Sequence, residues 1–473
     1  MLSTVLSVLV PALLAAVVIS KCRRSIAYVL LIPIFFDFGR AAYLDTYGLS
    51  FARLSSHQIG VALLVACSLL LVLRRDVHPR LKTLPLAAPI IGLYAFWILA
   101  VGLLSAAEGL SLGKSAVTAL FSTTLPVSFA AWFVAVSRIS EDELLGILRI
   151  VAIISAGLGL LYSLQAAGVH VYPYAGYSTV TSAGRVFTRD FATLGFMGVL
   201  VALAWSMAER PHLGLRVCVA ALALLAVAAS FTRSFLIAGI VAIFVSGLVV
   251  AVRTRRSDKV GSRRTAGLAA IATIVGVFAA IMTDELWASR LLSIGRDASF
   301  TGRAGAILGN VRAGSWVDAL VGYGFEGGVS VGAGVVLGDS LWIELVYRLG
   351  LVGALLLAGA LVAAGIDALR CRGTRTGTQV SLSAVAAGMP LSVLVLSLAG
   401  IPSSLHIGLA LAFGPALAAG VIAPGSQVCE NAVLAAVLPS PLPGSRVSRT
   451  LFLVLLGLIL AVVEIWIGIQ VAR

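Results

Sequence analysis

Charge is what this sequence has least of. Asp, Glu, Lys and Arg together make up 11% of 473 residues, against 60% hydrophobic. A soluble domain cannot hide that much apolar surface, so the composition excludes the soluble classes and points to a polytopic membrane protein. Alternating polar and apolar positions are also scarce. The apolar runs are continuous, which excludes the strands of a membrane β-barrel and leaves helices of about 20 residues. Only five cysteines occur, Cys22, Cys67, Cys218, Cys371 and Cys429, and no two have paired spacing. That pattern offers neither a disulfide framework nor a zinc site. The five histidines lie in different segments without ligand spacing, so no metal is expected. A Gly-rich phosphate loop closed by Lys and Ser or Thr is absent as well.

The charge that remains has a sign, +14 overall. Nucleic acid is excluded as its reason, because the basic residues sit in short loops between apolar runs. Those runs fall at about 2–20, 25–39, 58–73, 84–105, 115–137, 144–168, 191–207, 215–231, 234–252, 266–283, 340–366, 380–400, 403–423 and 450–471. The first carries no basic residue before it and "KCRR" after it, the reverse of a secretory signal, so it reads as a retained span. The stretch 215–252 is too long for one crossing and breaks near Arg233. Placing "KCRR" inside puts "RRDVHPRLK", "RTRRSDKVGSRR" and "LRCRGTR" inside too. That face then holds 21 of the 34 Lys and Arg residues and the other face 12, with Arg149 inside a span. The expected fold is therefore all-α, a single transmembrane domain over 1–473 with about 12–14 helices. Its N-terminus, the loop 169–190, the turn at Arg233 and a large loop 284–339 with short helices lie outside.

Outer arginines run against the charge bias and draw attention for that reason: Arg185, Arg189, Arg233, Arg290, Arg296, Arg303, Arg312 and Arg348. Arg185 and Arg189 would share a helix face. Arg233 sits in a turn of a few residues between two spans, at the membrane boundary, where an Arg fork binds phosphate well. Arg303 opens a helix with Ile307, Asn310 and Gly314 at helical spacing, while Arg312 is half a turn out of phase with it. Asp339, Glu344 and Arg348 begin a span in "LGDSLWIELVYRLGLVG", and ionisable groups at that depth mark a site by default. Each also has a plain structural explanation: Asp339 as an N-cap, and Glu344–Arg348 as a favourable i,i+4 pair. Tyr172, Tyr174 and Tyr177 read either as an interfacial belt or as platforms for sugar rings. "SEDE" at 140–143 reads as a capping box, Ser140 to Glu143. "PSPLPGS" at 439–445 reads as a rigid inner linker.

Between Thr301 and Gly353, "TGR", Trp316, "VGYGFEGG" and "GDSLWIELVYRLGLVG" together resemble the signature of the O-antigen ligase and O-antigen polymerase family. The resemblance implies a bacterial inner-membrane glycosyltransferase with its active site facing the periplasm. Its donor would be an oligosaccharide on undecaprenyl pyrophosphate and its acceptor a second glycan or glycolipid, with membrane lipid around it and no cofactor. Arg303 matches the family's loop arginine, with ten residues between it and Gly314. Arg233 resembles the short-turn arginine, and Arg185 or Arg189 the arginine of an earlier periplasmic loop. Arginines would neutralise the pyrophosphate as it leaves, and Asp339 would orient or deprotonate the acceptor hydroxyl. Arg312, Glu344, Arg348, Tyr172 and Tyr174 would contact substrate. Ligases of the family carry His-Asn where this chain has Asp339–Ser340, a departure that favours a polymerase over transfer to a lipid A core. The competing class is a lipid or polysaccharide transporter, whose ionisable groups sit at mid-membrane on broken helices. Asp37, Arg149 and Glu464 are the residues this reading places within spans, and they are isolated from one another.

Overall fold

The computed structural model describes residues 85–107, 139–140, 144, 152–153, 219, 222, 233–254, 316–324, 340–370, 377–399, 404–419 and 422–423. Within them the chain is helical: α1 Ala87–Ala107, α2 Arg233–Thr254, α3 Trp316–Val321, α4 Leu341–Arg370, α5 Gly377–Ala399 and α6 Ser404–Ala418. One two-residue strand pair completes the set, β1 Ile139–Ser140 beside β2 Ile422–Ala423 in parallel register. Two helices, α1 and α4, are long and apolar enough to cross a membrane.

These segments are helices of mainly apolar residues, and their packing is decided by residue size. Small side chains fill the buried positions of α4, α5 and α6: Ala360, Ala364 and Ala368, then Ala384 and Ala386, then Ala410, Ala412 and Ala416. Large apolar ones point outward, among them Phe96, Leu103, Phe244 and Leu355. Small residues let helix backbones approach closely, the usual packing where lipid removes the hydrophobic drive between helices. Two glycines mark close approaches between these helices. A Cβ at Gly414 of α6 would run into the Ala364 carbonyl of α4. One at Gly388 of α5 would lie 2.7 Å from Ser246 Oγ and 3.1 Å from the Ala242 carbonyl of α2.

Side-chain hydrogen bonds fix the directions. Ser246 Oγ donates to the Ala384 carbonyl at 3.0 Å, and Ala242 lies by Gly388, so α2 and α5 run antiparallel. Ser340 Oγ donates to the Ser397 carbonyl at 2.7 Å, joining the start of α4 to the end of α5. Asp367, near the other end of α4, accepts from the backbone N–H of Leu86 at 2.9 Å and of Ala87 at 2.8 Å. Trp97 Nε1 donates to the Leu349 carbonyl at 2.9 Å, so α1 and α4 are antiparallel too. The bundle therefore has one end with Ser105, Tyr323, Ser340 and Ser397, and an opposite end with Leu86 and Asp367.

The expected spans at 84–105, 234–252, 340–366 and 380–400 coincide with α1, α2, α4 and α5 to within four residues. The span expected at 403–423 is shorter, because α6 ends at Ala418 and Ile422–Ala423 form β2. Ser140, expected to cap a helix, belongs to β1, while the chain is helical by Leu144. Loop 169–190 lies outside the described residues, as does loop 284–339 apart from 316–324.

Candidate functional site

The described site residues gather where α4 begins. Glu344 N–H donates to the Ser340 carbonyl at 3.2 Å, which makes Ser340 the N-cap position. Asp339, expected either as an N-cap or as a catalytic carboxylate, lies outside the described residues. One turn on, Arg348 Nε donates to Glu344 Oε1 at 3.1 Å. The two side chains are 13% and 18% exposed, so this pair is largely withdrawn from solvent. Arg348 Nη1 is buried, and among the described residues it has no hydrogen-bond partner. A guanidinium has five N–H donors, and leaving one buried and unmade costs about 1–3 kcal/mol or more. The Glu344 carboxylate thus balances the charge but does not use up the fork.

Immediately beyond Arg348 the helix breaks. Gly350 has φ 65° and ψ −174°, a region open essentially to glycine alone. In a continuous helix the carbonyls of Tyr347, Arg348 and Leu349 would each accept from the N–H four residues on. Here all three receive donors from elsewhere. Tyr323 N–H reaches the Tyr347 carbonyl at 2.7 Å, Gly324 N–H reaches the Arg348 carbonyl at 3.1 Å, and Trp97 Nε1 takes Leu349. The turn that supplies two of them has its own left-handed glycines, Gly322 at φ 86° and Gly324 at φ 75°. It fits without clearance: a Cβ at Gly322 would meet the Gly350 N–H and the Arg348 carbonyl, and one at Gly350 would meet the Leu320 carbonyl. The Tyr323 and Tyr347 rings stack at 5.1 Å between centroids, 30° apart in plane.

Arg233 is the first residue of α2 rather than a turn residue. No acidic residue accompanies it in that first turn. Since α2 and α5 cross antiparallel at Ala242 and Gly388, Arg233 and Ser397 each lie nine residues beyond that crossing, at the same end. The backbone thus brings Arg233 to the end of the bundle that carries Glu344 and Arg348. Arg303, Arg185, Arg189, Arg312, Tyr172 and Tyr174 lie outside the described residues. The chain matches no known protein-family model and no curated protein.

Sequence reading missed four contributors. Asp367 falls one residue beyond the span expected at 340–366, yet it is 2% exposed and caps α1 from a distance of 280 residues. Trp97, Gly322 and Gly350 looked like ordinary residues of apolar or turn segments. The signal available was Gly350 itself, inside "RLGLVG" between a charged pair and a long apolar run. Among the described residues no cluster of His, Cys, Asp and Glu suits a metal.

Proposed function

We propose that this chain is a polytopic membrane glycosyltransferase, acting on the periplasmic face of a bacterial inner membrane. It would use glycan carried on undecaprenyl pyrophosphate, as a polymerase rather than a ligase. The observation that carries the reading is Arg348. It is a largely buried guanidinium with Nε held by Glu344 and Nη1 without a partner among the described residues, at the bundle end toward which α2 directs Arg233. Such a fork suits a pyrophosphate, whose paired oxygens match guanidinium geometry. Support for the topology comes from which ends meet. Leu86 with Asp367, and Ile139–Ser140 with Ile422–Ala423, are ends that loop charge assigns to the inner face. Ser340 with Ser397, and Gly324 beside Ser105, are ends it assigns to the outer face.

In this reaction the sugar C1–O bond to the pyrophosphate breaks, and the acceptor hydroxyl oxygen forms the new C1–O bond. Its proton passes to a base, for which Asp339 is the proposed group, and undecaprenyl pyrophosphate leaves. Arginines placed where its negative charge develops lower the barrier electrostatically.

A transporter is the second reading, favoured by one feature, the broken α4. Transporters use unwound carbonyls at such breaks to coordinate ions. Here the carbonyls of Tyr347, Arg348 and Leu349 are all taken by protein donors, and Asp367 is committed to two backbone N–H groups. That weighs toward the enzyme.

Disrupting the gene tests the choice. The enzyme reading expects undecaprenyl-pyrophosphate-linked glycan to accumulate in the outer leaflet, cleared by the wild-type gene but not by Arg348→Ala, and poorly by Arg348→Lys. Accumulation confined to the inner leaflet would instead identify a flippase.

A further inference from the structure

A helix that breaks in an apolar segment needs something to hold the break open. Re-forming a straight α4 would return three carbonyls to helical bonding and relieve Gly350 of a conformation rare for other residues. What opposes this is the turn after α3 together with Trp97, which meet the three carbonyls one by one. The same turn lies against the backbone of Arg348, through the Gly324 N–H and through Gly322, where an added Cβ would fall 2.6 Å from the Arg348 carbonyl. Its position therefore sets the direction of the outer turns of α4, and with them the Glu344–Arg348 pair.

We infer that Trp97, Gly322 and Gly350 are positioning residues for Arg348. The turn docked in the break aims the guanidinium at the anionic part of the substrate. This rests on the reading of Arg348 as a pyrophosphate-binding residue. Trp97 is the informative member, because Trp97→Phe removes the N–H while keeping a six-membered aromatic ring at the same position. The Leu349 carbonyl then loses its donor, and the pull toward a straight helix grows.

The test uses the full chain in nanodiscs, with a lipid-pyrophosphate-linked oligosaccharide as donor. Trp97→Phe and Gly350→Ala are each made alone and combined with Arg348→Ala. A pair of spin labels at the exposed positions Val317 and Leu355, in a background without native cysteines, reports docking of α3 on α4. Docking predicts one narrow distance distribution in the parent and a broadened one in Gly350→Ala. Positioning predicts that KM for the donor rises about tenfold in Trp97→Phe, the scale of one charge-assisted hydrogen bond misaligned. In the Arg348→Ala background Trp97→Phe should then add nothing further, since coupled residues are not additive. If Trp97→Phe lowers only the melting temperature, or its effect on KM adds in full to that of Arg348→Ala, the positioning role is wrong. If Arg348→Ala itself leaves KM unchanged, the reading of the site is wrong, and the spin-label distances still report whether the turn docks. Should Gly350→Ala fail to insert, Trp97→Phe decides alone.

Discussion

Asp367 shows how one residue can tie together elements remote in sequence. The segment before α1 offers no Ser, Thr, Asp or Asn at the cap position, and Asp367 supplies the missing acceptor for two orphan N–H groups. Asp367→Ala should therefore cost about 2–4 kcal/mol, the loss of two bonds to a charged acceptor. Asp367→Asn, which keeps one acceptor oxygen, should cost about half as much. Equilibrium unfolding in detergent measures both, and equal losses would mean that the oxygen Asn retains makes neither bond. Asp339 makes the opposite prediction. Because Ser340 occupies the cap position, Asp339→Asn should leave stability unchanged and remove most turnover if its carboxylate takes the acceptor proton. Full turnover in that variant would leave the chemistry to the arginines.

Glycines sort the elements into those pressed against a neighbour and those facing open space. Gly92, Gly247 and Gly365 have nothing within 4 Å of an added Cβ, whereas Gly414 would strike the Ala364 carbonyl. Alanine at the first three should be neutral or stabilise by up to about 1 kcal/mol, since glycine costs roughly that in a helix interior. Alanine at Gly414 should destabilise, because α6 cannot keep its place on α4. Thermal unfolding of the four variants separates the two groups. The positions of α1, α2, α4 and α5 were legible in the sequence because an unbroken apolar run of span length has one helical solution. The break at Gly350 was not, because its cause is the turn Gly322–Tyr323–Gly324 and the indole of Trp97, elements that only the tertiary fold brings together. Asp367 escaped for the same reason: its partners are Leu86 and Ala87. The Glu344–Arg348 pair was readable from its spacing, but the lack of a partner for Nη1 among the described residues required three dimensions.

At the scale of the whole molecule, the antiparallel pairings group the helix ends in the way the proposed topology requires. Single cysteines at Ser293 and Ser257, in a background without native cysteines, should label from outside and inside respectively. The reverse pattern would move Arg348 and Glu344 to the face that carries no lipid-linked donor. Catalysis is the central claim, and purified protein in nanodiscs tests it most directly, given only undecaprenyl-pyrophosphate-linked oligosaccharide. The account predicts stoichiometric release of undecaprenyl pyrophosphate, together with a ladder of products growing one repeat at a time, both lost in Arg348→Ala. Intact donor after prolonged incubation, in protein shown to bind it, would contradict the account.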